Sequence, residues 1–168
     1  FGFLRMGTVG MIAQSYFSKK YNEILNLIIR NILFVILISI ILILLQHYIL
    51  ILSLQIFELS NDTKEYFKDY FKIRIYSSFG ELTIYIITGL FIGLQKTKIS
   101  SVVVGFFSIS NIIFSLFFFL YLNLNVKGVA LGTLFSSTLT AFIFLIYTFY
   151  KLKKFTHLNI NIHRIFNF

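Results

Sequence analysis

The sequence predicts an all-α fold, a polytopic transmembrane helix bundle with one truncated and four complete spans. Three observations carry this. Of the 168 residues, 58% are hydrophobic and 12% charged, against about 45–50% and about 25% in a soluble domain. So little charge cannot cover a soluble globule, and so apolar a chain is not disordered. Four apolar runs are each about 22–25 residues long, enough to cross roughly 30 Å of hydrocarbon at 1.5 Å per residue. None of them alternates polar with apolar residues as a barrel strand would, and all exceed the usual strand length of about 4–8 residues.

The first apolar stretch, 1–15, is shorter than the roughly 20 residues a crossing needs. No basic segment precedes it, so it is not read as a signal peptide. With Phe1 in place of an initiating Met, it is expected to be the tail of a helix whose start is missing, and the chain a fragment of a longer protein. The second run covers 24–52, with Arg30 near its start, Gln46 and His47 near its end, and its most apolar window at 31–52. The remaining spans are 73–94, 99–122 and 126–150. Residues 1–154 therefore form one transmembrane unit, and 155–168 is read as a cytoplasmic linker or interfacial segment.

Connector charge sets the orientation. Lys19 and Lys20, Lys96 and Lys98, and Lys151, Lys153 and Lys154 follow the first, third and fifth helices and so share one side. The other side receives the mixed-charge stretch 58–72 and the short 123–127 with its single lysine. The positive-inside rule places the lysine-rich side in the cytoplasm. The formal net charge of +9 is accounted for in this way and does not call for a nucleic-acid partner.

Polar groups in hydrocarbon are costly and normally face a bundle interior or a watery cavity. Arg74, Ser77, Ser78, Glu81, Tyr85 and Thr88 lie at helical spacing on one face. Ser108, Asn111 and Ser115 repeat this on the next span, and Thr133, Ser136, Ser137 and Thr140 on the last. A bundle around a polar centre follows. Glu81 is the one acid well inside a span, and desolvation makes it the candidate to bind and release a proton or cation. The alternative for Glu81 is a structural ion pair, and for the hydroxyls ordinary helix–helix hydrogen bonding. Arg5 lies inside the truncated helix and needs a partner, a cavity or an interface; Arg30 and Arg74 sit near span ends and can snorkel. Gly2, Gly7 and Gly10, the pair Gly89 and Gly93, and the pair Gly128 and Gly132 suggest close helix packing.

No P-loop, nucleophile elbow, zinc-protease motif or metal-spaced cluster occurs, and cysteine is absent, so no enzyme and no resident cofactor is expected.

Three segments resemble the multidrug and toxic compound extrusion (MATE) family, in its DinF-like branch. Residues 1–15, FGFLRMGTVGMIAQS, are similar to a second-helix pattern of roughly FLRMGTTGLTAQA. Residues 70–98 resemble the fourth helix, with an Arg–aromatic start and a G-x-x-x-G-x-Q-x-T-[KR] end. Asn111, followed by VKGVALGT at 126–133, resembles the fifth helix and the start of the sixth. The resemblance implies that the chain is part of the amino-terminal six-helix lobe of a twelve-helix transporter. Such a protein is a secondary antiporter of a bacterial plasma (inner) membrane. It exports small organic or cationic compounds in exchange for H⁺ or Na⁺, with a second lobe as partner.

On that reading Arg74, Ser78, Tyr85, Asn111, Ser115 and Ser137 line the lobe interior with Glu81, while Arg5, Gln14 and Gln95 are motif or helix-end residues. Two positions depart from the family pattern. Ser78, Phe79 and Gly80 replace a proline-containing segment, and Ser115 replaces an Asp of the cation-binding cluster, leaving Glu81 as the available substitute. Two other readings stay open. A lipid-linked precursor flippase would need a cavity rich in Arg and Lys, and a membrane scaffold would have polar stripes paired with one another and no cavity.

Overall fold

The structure, a computed structural model, describes residues 2–57 and 60–155. The segment assigned to a linker, 155–168, lies outside the described residues except for Phe155. The chain runs through α1 (Gly2–Phe17), α2 (Tyr21–Leu44), α3 (Gln46–Ile56) and α4 (Asn61–Arg74). A 3₁₀ turn, Ile75–Ser77, then leads into α5 (Ser78–Gly93), followed by α6 (Thr97–Leu116), a π turn (Phe117–Tyr121) and α7 (Asn125–Phe155). The fold is all-α, and no strand occurs among the described residues. Among the described residues, four helical segments are long and apolar enough to cross a membrane: Tyr21–Leu44, Thr63–Gly93, Thr97–Tyr121 and Asn125–Leu152.

Three boundaries differ from the sequence expectation. The run 24–52 is not one helix: it breaks at Leu45, which ends α2 and starts α3. The 24 residues of α2 already extend about 36 Å, so the bilayer thickness is used up just where Gln46 and His47 arrive. The stretch 58–72, expected as a connector, is largely helix α4, continuous through the 3₁₀ turn with α5. Its helical path of 31 residues exceeds the apolar slab, so its charged first turns project beyond it. The connector 123–127 contracts to the residues around Asn123, because α7 already starts at Asn125.

Two lysine-rich turns share one construction. Lys19 and Gln95 adopt left-handed backbone, with φ of 58° and 59°. The Lys20 amide donates to the Ser15 carbonyl at 3.0 Å and the Lys96 amide to the Phe91 carbonyl at 2.7 Å. Each is a Schellman-type helix end, built here without the usual glycine. Hairpins α1–α2 and α5–α6 therefore turn alike.

Helix α5 is the centre of the bundle, packing against α1, α2, α6 and α7. Ile84, Ile87 and Phe91 meet Val103 of α6, while Leu82 and Ile86 meet Val35 of α2, and Leu90 joins Ile12 and Ile28. The exterior is apolar: Leu33, Leu37 and Ile40 of α2 and Ile109, Ile113 and Leu116 of α6 are exposed. Faces of this composition suit lipid, not water.

Glycines set the close approaches. A Cβ at Gly89 would meet the Arg5 carbonyl oxygen at 2.9 Å, and one at Gly93 would meet Ile12 Cβ at 2.8 Å, so α1 and α5 pack backbone to backbone. A Cβ at Gly80 would meet the Ser137 carbonyl carbon at 2.7 Å, and one at Gly132 would meet Ser115 Cα at 2.6 Å. Gly2, Gly7 and Gly10, expected to pack as well, have nothing within 4 Å of a built Cβ among the described residues.

Candidate functional site

The polar faces of α5, α6 and α7 converge, with α1, on a groove of about 580 Å³. Arg74, Glu81, Tyr85 and Thr88 line it from the α4–α5 segment, Ser108 and Asn111 from α6, Thr133 from α7 and Arg5 from α1. A smaller cavity of about 270 Å³ lies on the other side of the same segment, bounded by Leu42, Ile49 and Phe71. Arg74, Glu81 and Tyr85 line both spaces. The ion pair thus stands in a wall between two cavities.

Its geometry comes from the helix break. Arg74 ends α4, the 3₁₀ turn follows, and Glu81 lies in the first turn of α5. Arg74 Nη1 is 2.6 Å from Glu81 Oε1, with the two side chains 31% and 24% exposed. Arg74 Nη1 also donates to Ser77 Oγ, whose hydroxyl is within reach of the Arg74 carbonyl at 2.6 Å and of Glu81 Oε1 at 3.4 Å. Rather than snorkel to the helix end, Arg74 reaches two turns along its own helix to the acid. No proline is needed to interrupt the helix here; the 3₁₀ turn precedes Ser78, Phe79 and Gly80 directly.

Asn111 joins α6 to α7. Its Nδ2 donates to Thr133 Oγ1 at 2.9 Å and to Ser136 Oγ at 3.3 Å, and Ser115 Oγ donates to its Oδ1 at 3.5 Å. Ser115 is also the residue on which Gly132 rests, so it sits at a helix contact beside the groove and is not among the groove residues. Ser136, Ser137 and Thr140 are fully buried and donate to carbonyls of their own helix, Ser137 to Leu134 at 3.1 Å. Ser78 lines the smaller cavity, and its buried Oγ has no hydrogen-bond partner among the described residues.

The helix-end residues separate. Gln95 is the left-handed residue that closes α5. Gln14 lines a different pocket of about 510 Å³ with Ser15, Glu23, Asn26 and Arg30, between α1 and α2. Arg5, by contrast, opens into the central groove. One polar contact escaped the sequence reading: Asn31 Nδ2 donates to Thr8 Oγ1 at 3.2 Å, tying α2 to α1. An isolated Asn in the most apolar run of the chain was the available signal.

The two ends of the bundle carry different charge. Asp69 of α4 pairs with Lys127 of α7 at 3.2 Å, which brings the connectors 58–72 and 123–127 to one end. At the other end, burial and the neighbouring Lys151 charge push the Lys96 ammonium below its ordinary pKa. No group of His, Asp and Glu that could hold a metal ion occurs among the described residues.

Residues 1–117 match the family model described as MatE. The chain belongs to the MatE family. Its resemblance to the DinF-like branch is supported by a relative, the DNA damage-inducible protein F of Escherichia coli. The two are 27% identical over 141 residues, which is 84% of this chain and 31% of that protein. The chain thus spans about a third of that relative's length. No solved structure matches. Family and apolar helices together make this a multi-pass membrane protein. The MatE match takes in the ion pair, Arg5 and Asn111, whereas Thr133, Ser137 and the VKGVALGT segment lie beyond it.

Proposed function

We propose that this chain is part of the amino-terminal lobe of a MatE secondary antiporter. That protein exports small organic compounds across a bacterial plasma (inner) membrane in exchange for H⁺ or Na⁺. The observation that carries the reading is the Arg74–Glu81 pair, 2.6 Å apart, in the wall between two cavities of a helix bundle. In this mechanism Glu81 accepts the coupling proton or cation, Arg74 is released from it, and the 3₁₀ turn between them lets α4 and α5 change their mutual angle. Alternating access then arises from rocking against a second lobe of the same protein. The lysine-rich turns face the cytoplasm. A groove of about 580 Å³ has the volume of a small-molecule site, which favours transport over a scaffold whose polar stripes close on one another.

The test is efflux by the full-length protein in proteoliposomes under an imposed H⁺ or Na⁺ gradient. Glu81→Gln is expected to abolish ion-coupled efflux. Unchanged efflux at normal expression would reject the role of Glu81.

A further inference from the structure

The groove is positively charged. Its charged lining residues are Arg5, Arg74 and Glu81. Arg74 and Glu81 neutralise each other at 2.6 Å. Arg5 is left, and no acid among the described residues pairs with it. It is held in place by its own backbone, since the Arg5 carbonyl is one of the atoms on which Gly89 closes. The Arg5 backbone is therefore fixed in a tightly packed helix–helix contact, and its exposed side chain lines the groove. An unpaired cation at membrane depth is costly, and a ligand that supplies the opposite charge gains what water and hydrocarbon do not provide.

The other lining groups define the rest of the ligand. Tyr70, Tyr85 and Phe107 offer aromatic surface, and Ser108 and Asn111 offer donors and acceptors beside it. We infer that the groove binds an amphipathic organic anion of drug size, its carboxylate, sulfonate or phosphate paired with Arg5 and its apolar body against Tyr85 and Phe107. A guanidinium is the suitable group for such an oxyanion, because it can present two parallel N–H donors to it. A cationic compound would meet Arg5 with Glu81, already paired with Arg74, as the one acid among the described groove residues. This inference rests on the proposed function only for the outward movement of the anion; binding can be measured without transport.

The experiment uses the full-length protein in detergent, with two fluorescent probes: 8-anilinonaphthalene-1-sulfonate as the anion and ethidium as the cation. Arg5→Gln is expected to weaken the sulfonate roughly 10- to 100-fold, the scale of a charge-assisted hydrogen bond, and to leave ethidium unchanged or tighter. Arg5→Lys should retain an intermediate affinity. If Arg5→Gln does not fold, Ser108→Asp serves instead. Ser108 is exposed in the groove, and an added carboxylate there should weaken the sulfonate while Arg5 is intact. Wild-type sulfonate affinity in Arg5→Gln or in Ser108→Asp would overturn the inference, as would equal loss of both probes in Arg5→Gln and Arg5→Lys. Should wild-type proteoliposomes move neither probe while the sulfonate still depends on Arg5, the transport reading falls and this one stands. Export of ethidium without any sulfonate binding would do the reverse.

Discussion

Arg74 and Glu81 are seven positions apart on one helical path, yet their Nη1 and Oε1 atoms lie 2.6 Å apart. Side chains on a regular helix meet at three or four residues. A two-turn reach is possible here because arginine is long and the 3₁₀ turn Ile75–Ser77 lies between the two. Ser77 fills the gap, accepting from Arg74 and sitting 3.4 Å from Glu81.

That relationship predicts a non-additive pair. Arg74→Gln and Glu81→Gln should each destabilise the full-length protein by about 1–3 kcal/mol, since each leaves a partly buried charge without its partner. The double variant should be less damaged than the sum, with a coupling of about 1 kcal/mol or more. Unfolding in mixed micelles checks this; strict additivity would mean that the pair is a surface contact without energetic weight.

The glycines sort into two classes. Gly80→Ala and Gly132→Ala should cost about 1–3 kcal/mol, because the new methyl would meet backbone atoms of Ser137 and Ser115 at 2.7 Å and 2.6 Å. Gly10→Ala has open space among the described helices and should be neutral or slightly stabilising through helix propensity. Thermal melts of the three variants would show the split. A clear loss for Gly10→Ala would reveal another surface seated on that face of α1.

The two hairpin turns predict gains. Lys19→Gly and Gln95→Gly relieve a left-handed backbone at φ 58° and 59°, and each should stabilise by about 1 kcal/mol. Melting temperatures would test it. A drop in transport for Gln95→Gly without a drop in stability would give this helix-end residue a part in function beyond its turn.

Lys96 should titrate below an ordinary lysine, first because it is partly buried and second because Lys151 is near. The sign of the pH effect follows. With the folded pKa below the unfolded one, the unfolded chain binds more protons between the two, so this group's contribution to stability rises as pH rises through that window and is complete above the unfolded lysine value. Lys151→Gln should move the Lys96 pKa back upward. Resonances of isotopically methylated lysines, followed against pH, would report it; no movement would leave burial as the whole cause.

Much of this was legible along the chain. Helical character and the spans beginning near 99 and 126 were readable because hydropathy is a local, additive property of residue type. So was the meeting of Ser108 and Asn111 with Thr133 and Glu81, since residues of one polar face must turn inward together. The break at Leu45 was not, because neither glycine nor proline marks it. Nor was the helical state of 61–74, whose charge reads equally well as loop.

By itself, the sequence determined that this protein is a helical membrane bundle with its lysine-rich turns on one side and a polar interior, because each of those properties follows from residue type and spacing. Only the tertiary structure decided which groups meet. It turned Arg74 onto Glu81 and opened Arg5 into the groove. It also set Ser137 beneath Gly80 while leaving Gly7 and Gly10 without a close neighbour among the described residues. Such pairings depend on helix rotation and crossing, which several helices packing at once determine and no single stretch of sequence contains.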